Sequence, residues 1–251
     1  MNPYYSQDGI DLYLGDCREV LPTLSGIQTT VTSPPYNTLG VRIPKEGTNL
    51  MKGNQWLAKV NEHGYEDSMD EDEYQQQQVE IASLIRAATV PGGSYFYNHK
   101  VRYRGSGILH PIDLAAQFTD WRIRQELIWD RTIAMAFNAR MFAPSDERII
   151  WLWRDDAPHK WNQEASKWMN IWRVSPLTSD GGDHPCPFPN AIPTRCIVAT
   201  SDPGDLILDP YAGSGTTLRA AKDLGRRAVG IESEERFCEM AVRRLGQGVL
   251  F

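Results

Sequence analysis

Two short stretches of the sequence carry residue types that could do chemistry. The first is Ser33-Pro34-Pro35-Tyr36, which directly follows a β-branched run at residues 29–32. The Ser33 hydroxyl and the Pro34 carbonyl are hydrogen-bond acceptors. The two prolines hold them on a rigid loop, because proline fixes φ and donates no backbone hydrogen bond. Tyr36 adds a planar ring. The pattern favours a site that accepts N–H groups from a flat ligand and stacks on its ring.

The second stretch is the apolar run and glycine-rich turn at residues 206–217, with Gly213-Ser214-Gly215 at its centre. Such a turn lets backbone amides and a helix N-terminus approach a ligand closely. No Lys follows the glycines, so a phosphate-binding P-loop is excluded, and the spacing of a dinucleotide site is incomplete. Glu232 ends the next predicted strand, where a carboxylate can accept both hydroxyls of a ribose. Alternatively, the glycines form only a tight turn and Glu232 caps a helix.

Together, and in this order, the two stretches resemble the β-class S-adenosylmethionine-dependent DNA amino-methyltransferases, the N4-cytosine and N6-adenine family. In that class the catalytic half precedes the cofactor half. The resemblance runs from Asp11 to Leu245 and includes Trp172 in the segment 170–174. It implies a Rossmann-like, doubly wound α/β fold with a mostly parallel seven-stranded sheet, circularly permuted. One catalytic domain is expected over residues 1–251, with its catalytic half at about 11–153 and its cofactor half at about 184–245.

The resemblance also implies how S-adenosylmethionine is held. Glu232 would bind the ribose, Asp16 would contact the adenine amino group, and the segment 184–189 would close over the methionine end. Asp16 could equally cap the helix that follows it. The predicted cofactor-binding residues are Asp16, Cys17, Thr32, His184, Pro185, Phe188, Asp209, Ala212, Gly213, Ser214, Gly215, Thr216, Thr217 and Glu232.

A competing interpretation treats Pro185-Cys186 as the nucleophilic pair of the cytosine-C5 methyltransferases. The neighbouring residues and the order of the motifs disfavour it.

The predicted catalytic residues are Ser33, Pro34, Pro35 and Tyr36. An exocyclic base amine is a poor nucleophile because its lone pair is delocalised into the ring, and acceptors for its N–H groups relieve that delocalisation. The base would be rotated out of the duplex and stacked on Tyr36. Serine at the first position is typical of enzymes that methylate cytosine N4, and aspartate of adenine N6. We therefore expect N4-cytosine, with N6-adenine as the alternative. An RNA or protein amino-methyltransferase and a non-catalytic DNA-binding relative stay open as other classes.

Double-stranded DNA is the expected partner, although the net charge is −6. Basic residues outnumber acidic ones between residues 98 and 173, so the total charge neither supports nor excludes DNA. Target recognition is expected at about 38–70 and 155–183, with Lys160, Lys167 and Arg173 as DNA-binding candidates. The tryptophans of the second segment could stack on bases or fill a subsidiary core. A homodimer and a cognate restriction endonuclease stay open as further partners.

The bulk composition fits a globular protein of 251 residues with 41% hydrophobic residues. No apolar run could span a bilayer and no signal peptide is apparent, so we expect a cytoplasmic protein with no membrane partner. The four cysteines lack metal-ligand spacing, which predicts free thiols and no metal site.

Alternating strands and helices must position these residues. The pattern predicts strands at 11–14, 29–32, 94–97, 122–129, 148–153, 206–208 and 227–231. It predicts helices after residue 16 and at 71–89, 109–118, 191–199, 216–224 and 234–245. This alternation indicates a doubly wound sheet, in which ligands bind at the carboxyl ends of the strands.

Overall fold

The computed structural model describes residues 2–38, 68–104, 107–133, 141–176 and 189–247. The strands in these ranges are β1 (Tyr5–Gln7), β2 (Ile10–Leu14), β3 (Ile27–Thr32), β4 (Thr89–His99), β5 (Arg102–Arg104), β6 (Gly107–Leu109), β7 (Arg122–Asp130), β8 (Asp146–Trp153), β9 (Ile171–Arg173), β10 (Leu206–Asp209) and β11 (Arg227–Glu232).

The α-helices in the same ranges are α1 (Cys17–Val20), α2 (Glu71–Ala88), α3 (Pro111–Ala115), α4 (Ala191–Thr200), α5 (Thr216–Asp223) and α6 (Glu235–Gly246). Two short 3₁₀ turns lie at Leu21–Thr23 and Gln163–Lys167. None of the helices described is long and apolar enough to cross a bilayer.

The main sheet has the strand order β1-β2-β11-β10-β3-β4-β8-β7-β9. Its pairs are parallel except β1–β2, β4–β8 and β7–β8, which confirms the expected mostly parallel α/β sheet. Within the described residues this sheet has nine strands, where we expected seven. The two additional strands, β1 and β9, have three residues each and extend the edges. Strands this short show too little alternation for a sequence pattern to reveal them.

Helices cover both faces of the sheet. Apolar residues of α4, α5 and α6 form one core cluster with one face, and those of α1, α2 and α3 form a second cluster with the other. The fully buried side chains Ile192, Ile197 and Leu218 lie in the first cluster, and Ile85 lies in the second. This is the doubly wound arrangement, with burial on both faces of the central strands.

Strand β4 begins five residues earlier than the pattern predicts. Pro91-Gly92-Gly93 falls between the predicted helix at 71–89 and the predicted strand at 94–97, but it lies inside β4. The register there shifts, because Ile27 and Thr29 of β3 pair with Thr89 and Ser94 of β4. The extra residues of β4 form an irregularity of the kind that glycine and proline tolerate in a strand.

Five neighbouring strands end together at one edge of the sheet. Because β2, β11, β10, β3 and β4 are mutually parallel, their carboxyl ends lie side by side. Strand β8 runs antiparallel to β4, so its first residues lie at this same edge. We call it the carboxyl edge, and it is where an open α/β sheet binds ligands.

Gly230 on β11 tests the packing of α5 on the sheet. A Cβ at this position would lie 2.6 Å from Leu218 Cδ1 and 3.0 Å from Ala212 Cβ. We expect Gly230→Ala to lower the free energy of unfolding by about 1–3 kcal/mol through overpacking. Equilibrium urea unfolding measures the change.

Gly246→Ala is the matched control, because no atom of the described residues lies within 4 Å of a Cβ at that position. It should change stability by less than about 1 kcal/mol, since alanine is the better helix former. Equal unfolding midpoints for the two variants would contradict the proposed tightness of the α5 contact.

Candidate active site at the carboxyl edge

The two sequence motifs meet through one buried hydrogen bond. Thr32 ends β3, and its Oγ1 donates to Asp209 Oδ1 at the end of β10 over 2.7 Å. The same Oδ1 accepts from the Tyr211 backbone amide at 3.1 Å. Both Thr32 and Asp209 are buried. This bond aligns the start of the Ser33 loop with the start of the glycine-rich turn.

A dense hydrogen-bond network surrounds Ser33. Its Oγ lies 2.5 Å from the Tyr36 hydroxyl, and that hydroxyl donates to Glu147 Oε2 over 2.9 Å. Asn98 Nδ2 lies 2.6 Å from the Tyr36 hydroxyl and 2.9 Å from Glu147 Oε2. Arg131 Nη1 donates to Glu147 Oε1 at 2.8 Å. We call these five residues the Ser33 network. It fastens the loop to β4 and β8.

A second set of contacts holds Pro35 and the Tyr36 ring. The Tyr74 hydroxyl on α2 lies 2.8 Å from the Pro35 carbonyl and 2.9 Å from His99 Nε2. The Tyr36 and His99 rings pack with centroids 4.6 Å apart. Burial lowers the pKa of His99 to about 3, so its ring is neutral. Its Nδ1 faces the Lys100 carbonyl at 2.8 Å and must carry the proton, so the single Tyr74 hydroxyl proton lies between two acceptors, the Pro35 carbonyl and His99 Nε2.

A cavity of about 460 Å³ lies beside the loop. Pro35 and Tyr74 line one side of it, and Asp16, Cys17 and Glu232 line another. Its volume is in the range of small-molecule sites. Pro35 of the Ser33 loop and three of the predicted cofactor residues therefore share one cavity.

Asp16 has a structural role in addition to lining the cavity. Its carboxylate caps α1 by accepting from the Arg18 amide at 2.8 Å, and it pairs with the Arg18 guanidinium. Hydrogen bonds from the Arg18 side chain hold the pKa of Asp16 below its usual value. The neighbouring Cys17 thiol is neutral, because burial raises its pKa to about 12. The helix-cap alternative for Asp16 is present, and it leaves the carboxylate at the cavity wall.

Glu232 links β11 to the glycine-rich turn. Its Oε2 accepts from the Gly213 amide at 2.8 Å, and its Oε1 accepts from the Glu234 amide at 2.9 Å, just before α6. Burial raises the pKa of this carboxyl above its usual value. Glu232 therefore lies at the cavity with both oxygens already bonded to backbone amides.

The glycine-rich turn itself packs inward. Gly213 and Gly215 have φ values of 50° and 78°, in the left-handed region that favours glycine. A Cβ on Gly215 would lie 2.8 Å from Ala241 Cβ, so this glycine lets α5 approach α6. Among the predicted cofactor residues, those buried here and absent from the cavity wall are Thr32, Asp209, Ala212, Ser214, Gly215, Thr216 and Thr217.

A family model described as DNA methylase, covering the N6 and N4 methyltransferases, matches residues 27–243. The chain belongs to this DNA methylase family. The type II methyltransferase M.ScaI of Streptomyces caespitosus is 28% identical over 278 residues, covering 97% of this chain and 83% of the relative.

Two solved structures are similar to the methylase in fold. The PvuII DNA methyltransferase, described as cytosine-N4-specific, has a TM-score of 0.75 at 19% identity, covering 100% of this chain and 91% of that one. A complex of M1.HpyAVI with SAM has a TM-score of 0.67 at 21% identity, covering 95% and 100%. At these identities the likeness concerns the fold.

The DNA-binding candidates of the methylase lie in different places. Lys160 Nζ binds Asp205 at 2.6 Å and Asp202 at 2.8 Å, just before β10, so the structure places it at the edge opposite Ser33. Lys167 pairs with Glu164 on an exposed 3₁₀ turn. Arg173 ends β9 beside Asp130 at the carboxyl edge, and its side chain is 80% exposed.

The tryptophans near these residues mostly fill the core. Trp172 is buried, and Trp161 stacks on Trp151 with centroids 5.3 Å apart. Trp168 is more exposed. The subsidiary-core alternative therefore holds for two of the three tryptophans. Of the other sequence predictions, His184, Pro185, Cys186 and Phe188 lie outside the described residues, as does most of the segment 38–70.

Four residues that surround the loop were not predicted from the sequence: Asn98, His99, Arg131 and Glu147. The available signal was polar residues at strand ends, since Asn98-His99 closes an apolar strand and Glu147 opens one. That signal identifies them only once β8 is known to run antiparallel beside β4.

The buried Asp209 makes stability depend on pH. Burial raises its pKa from 3.8 to about 6, partly offset by hydrogen bonds from Thr217 and Thr32. A raised carboxyl pKa means that its contribution to stability is complete below the unfolded pKa and is lost as the pH rises through about 6. Asparagine can accept the same bond from Thr32 without a charge. The free energy of unfolding of Asp209→Asn, relative to that of the wild type, should therefore rise by about 2–3 kcal/mol as the pH increases from about 4 to about 7.

Urea unfolding of both proteins across this pH range measures the difference. A stability difference that is flat with pH would show that Asp209 carries no raised pKa.

Proposed function

We propose that this methylase transfers a methyl group from S-adenosylmethionine to the exocyclic N4 of a cytosine rotated out of double-stranded DNA. The observation that carries the proposal is the shared cavity. Pro35 of the serine loop and the carboxylates Asp16 and Glu232 line the same space of about 460 Å³. A methyl donor held by the carboxylates would lie directly against the loop that presents the acceptor amine.

The residues at the cavity fit the cofactor chemically. Asp16 and Glu232 offer carboxylate oxygens for an adenine amino group and for ribose hydroxyls. The M1.HpyAVI structure, similar in fold, is described as a complex with SAM. The cofactor supplies an electrophilic methyl group on a sulfonium, and the chain's residues bind and orient the two reactants.

Ser33 and Pro34 would receive the target amine. The Ser33 Oγ and the Pro34 carbonyl accept its N–H groups, which favours a pyramidal nitrogen with a localised lone pair. Transfer is then direct: the N–CH3 bond forms as the S–CH3 bond of the sulfonium breaks, the neutral thioether leaves, and the surplus amine proton is released to solvent. The acceleration comes from positioning and from preorganised acceptors. His99 already packs against the Tyr36 ring, with centroids 4.6 Å apart, which holds the ring ready for a base to stack on it.

Two observations favour cytosine N4 over adenine N6. The first loop residue is serine, and the PvuII enzyme of similar fold is described as cytosine-N4-specific. Adenine N6 remains the second candidate, because the family model covers both chemistries.

The first experiment is incubation with labelled S-adenosylmethionine and unmethylated genomic DNA, followed by mass spectrometry of the nucleosides. We expect N4-methylcytosine. N6-methyladenine would keep the enzyme class and overturn the assignment of the base. Label found only on RNA or protein would overturn DNA as the substrate. Ser33→Ala should lose about 10²–10³-fold in turnover because an acceptor is removed, while cofactor binding is retained.

A second experiment separates the cofactor role of Asp16 from its helix-cap role. Asp16→Ser keeps a good N-cap, but the shorter side chain leaves the cavity wall. We expect cofactor affinity to fall about 10- to 100-fold, as for the loss of a hydrogen bond to a charged group. Isothermal titration calorimetry measures the affinity and thermal unfolding measures the cap. Unchanged affinity would leave Asp16 with the cap alone.

A further inference from the structure

We propose that Glu147, acting through the hydroxyl of Tyr36, is a positioning residue that makes Ser33 an obligate hydrogen-bond acceptor for the target amine. The inference rests on the proposed function only for the identity of that amine. It follows from counting the protons in the Ser33 network.

Glu147 lies at the buried end of the network and is 5% exposed. Arg131 Nη1 donates to its Oε1 at 2.8 Å. A carboxylate only accepts hydrogen bonds. The Tyr36 hydroxyl, 2.9 Å from Oε2, must therefore use its single proton on Glu147.

One proton joins the hydroxyls of Tyr36 and Ser33. Because the Tyr36 proton is committed to Glu147, the 2.5 Å contact between the two hydroxyls must use the Ser33 proton. Asn98 Nδ2 also donates to the Tyr36 oxygen, over 2.6 Å. The order of donation is Ser33 to Tyr36 to Glu147, and Arg131 compensates the charge at the end of the chain.

The orientation of the Asn98 amide agrees with this order. With the amide flipped, its oxygen would lie 2.9 Å from Glu147 Oε2, acceptor against acceptor. The amide nitrogen therefore faces the carboxylate. Asn98 is 1% exposed, so the network lies in a region of low dielectric, where hydrogen bonds in series strengthen one another.

Ser33 is left with lone pairs and no proton for a ligand. A serine hydroxyl ordinarily rotates to donate or accept. Here the hydroxyl is held as an acceptor, and one lone pair is approached by Asn98 Nδ2 at 3.3 Å. The carboxylate at the end of the chain polarises the Ser33 oxygen. Glu147 thus makes the Ser33 oxygen a stronger hydrogen-bond acceptor without contacting it. An aspartate at position 33 would have this acceptor strength through its own carboxylate.

We call the hydrogen-bond chain from Ser33 through Tyr36 to Glu147 the relay. Glu147→Gln and Tyr36→Phe test it. In Glu147→Gln, Arg131 still donates to the side-chain carbonyl oxygen, so the new amide nitrogen faces the Tyr36 hydroxyl and donates to it. Tyr36 then donates to Ser33, which reverses the order of donation. Tyr36→Phe keeps the stacking ring and removes the hydroxyl. Each should lower kcat about 10- to 100-fold, the scale of a misplaced catalytic group, with the KM for DNA and the affinity for S-adenosylmethionine changed less than about threefold.

The double variant decides between a relay and two separate structural roles. If the residues act in one chain, Tyr36→Phe combined with Glu147→Gln is no slower than the slower single variant. Multiplied losses would overturn the proposal. Glu126→Gln is the matched control, because this half-buried glutamate of β7 pairs with Arg148 and His110 outside the network. Its kcat should equal that of the wild type.

The Ser33→Asp substitution should reverse the direction in which Glu147→Gln changes kcat. An aspartate at this position would place a second carboxylate on the same Tyr36 hydroxyl, and the two negative charges would repel. Glu147→Gln should therefore slow the wild-type background and speed the Ser33→Asp background. Slowing in both backgrounds would overturn the relay.

A measurement without turnover separates failure of the relay from failure of the proposed function. A short O–H···O contact gives a low-field proton NMR resonance in the free enzyme. It should disappear in Ser33→Ala and Tyr36→Phe and move upfield in Glu147→Gln. If the wild type methylates no DNA, the proposed function fails and this resonance alone decides the relay. No change in Glu147→Gln would overturn it.

Discussion

The hydrogen bond between Thr32 and Asp209 is the interaction on which the site depends. It joins the ends of β3 and β10, two strands far apart in sequence, at 2.7 Å in a buried position. The serine loop starts one residue after Thr32, and the glycine-rich turn starts a few residues after Asp209. This contact, together with the pairing of β3 with β10, therefore sets the distance between the Ser33 loop and the glycine-rich turn.

Burying polar groups at the carboxyl edge carries a desolvation penalty, and different interactions compensate it at each group. Glu147 is compensated by a direct ion pair with Arg131 at 2.8 Å. Asp209 accepts hydrogen bonds from Thr32 and the Tyr211 amide, no cationic side chain of the described residues pairs with it, and burial raises its pKa to about 6. Glu232 is bonded to backbone amides of the turn and of the segment before α6. These groups keep the edge polar where packing alone would favour apolar residues.

The sequence predicts the local elements of this edge well and the contacts between them poorly. The strand before Ser33 and the strand, turn and helix around Gly213 follow from residue types within a few positions. Glu147 joins the site only because β8 pairs antiparallel with β4, a contact that no local pattern encodes. For Lys160, a basic residue among tryptophans suggested DNA, whereas in the structure it pairs with two aspartates at the edge opposite Ser33.

The chemistry of the serine loop is likewise a property of the fold. Serine is ambiguous as a hydrogen-bonding residue, because its hydroxyl can donate or accept in several directions. The ambiguity is removed by neighbours from β4 and β8, which bring an amide donor and a buried carboxylate to the same tyrosine hydroxyl. A short motif therefore defines where the acceptor lies, whereas its strength is set by strands that the motif does not contain. Two chains with the same four residues could differ in the base they favour if the carboxylate behind the tyrosine differed.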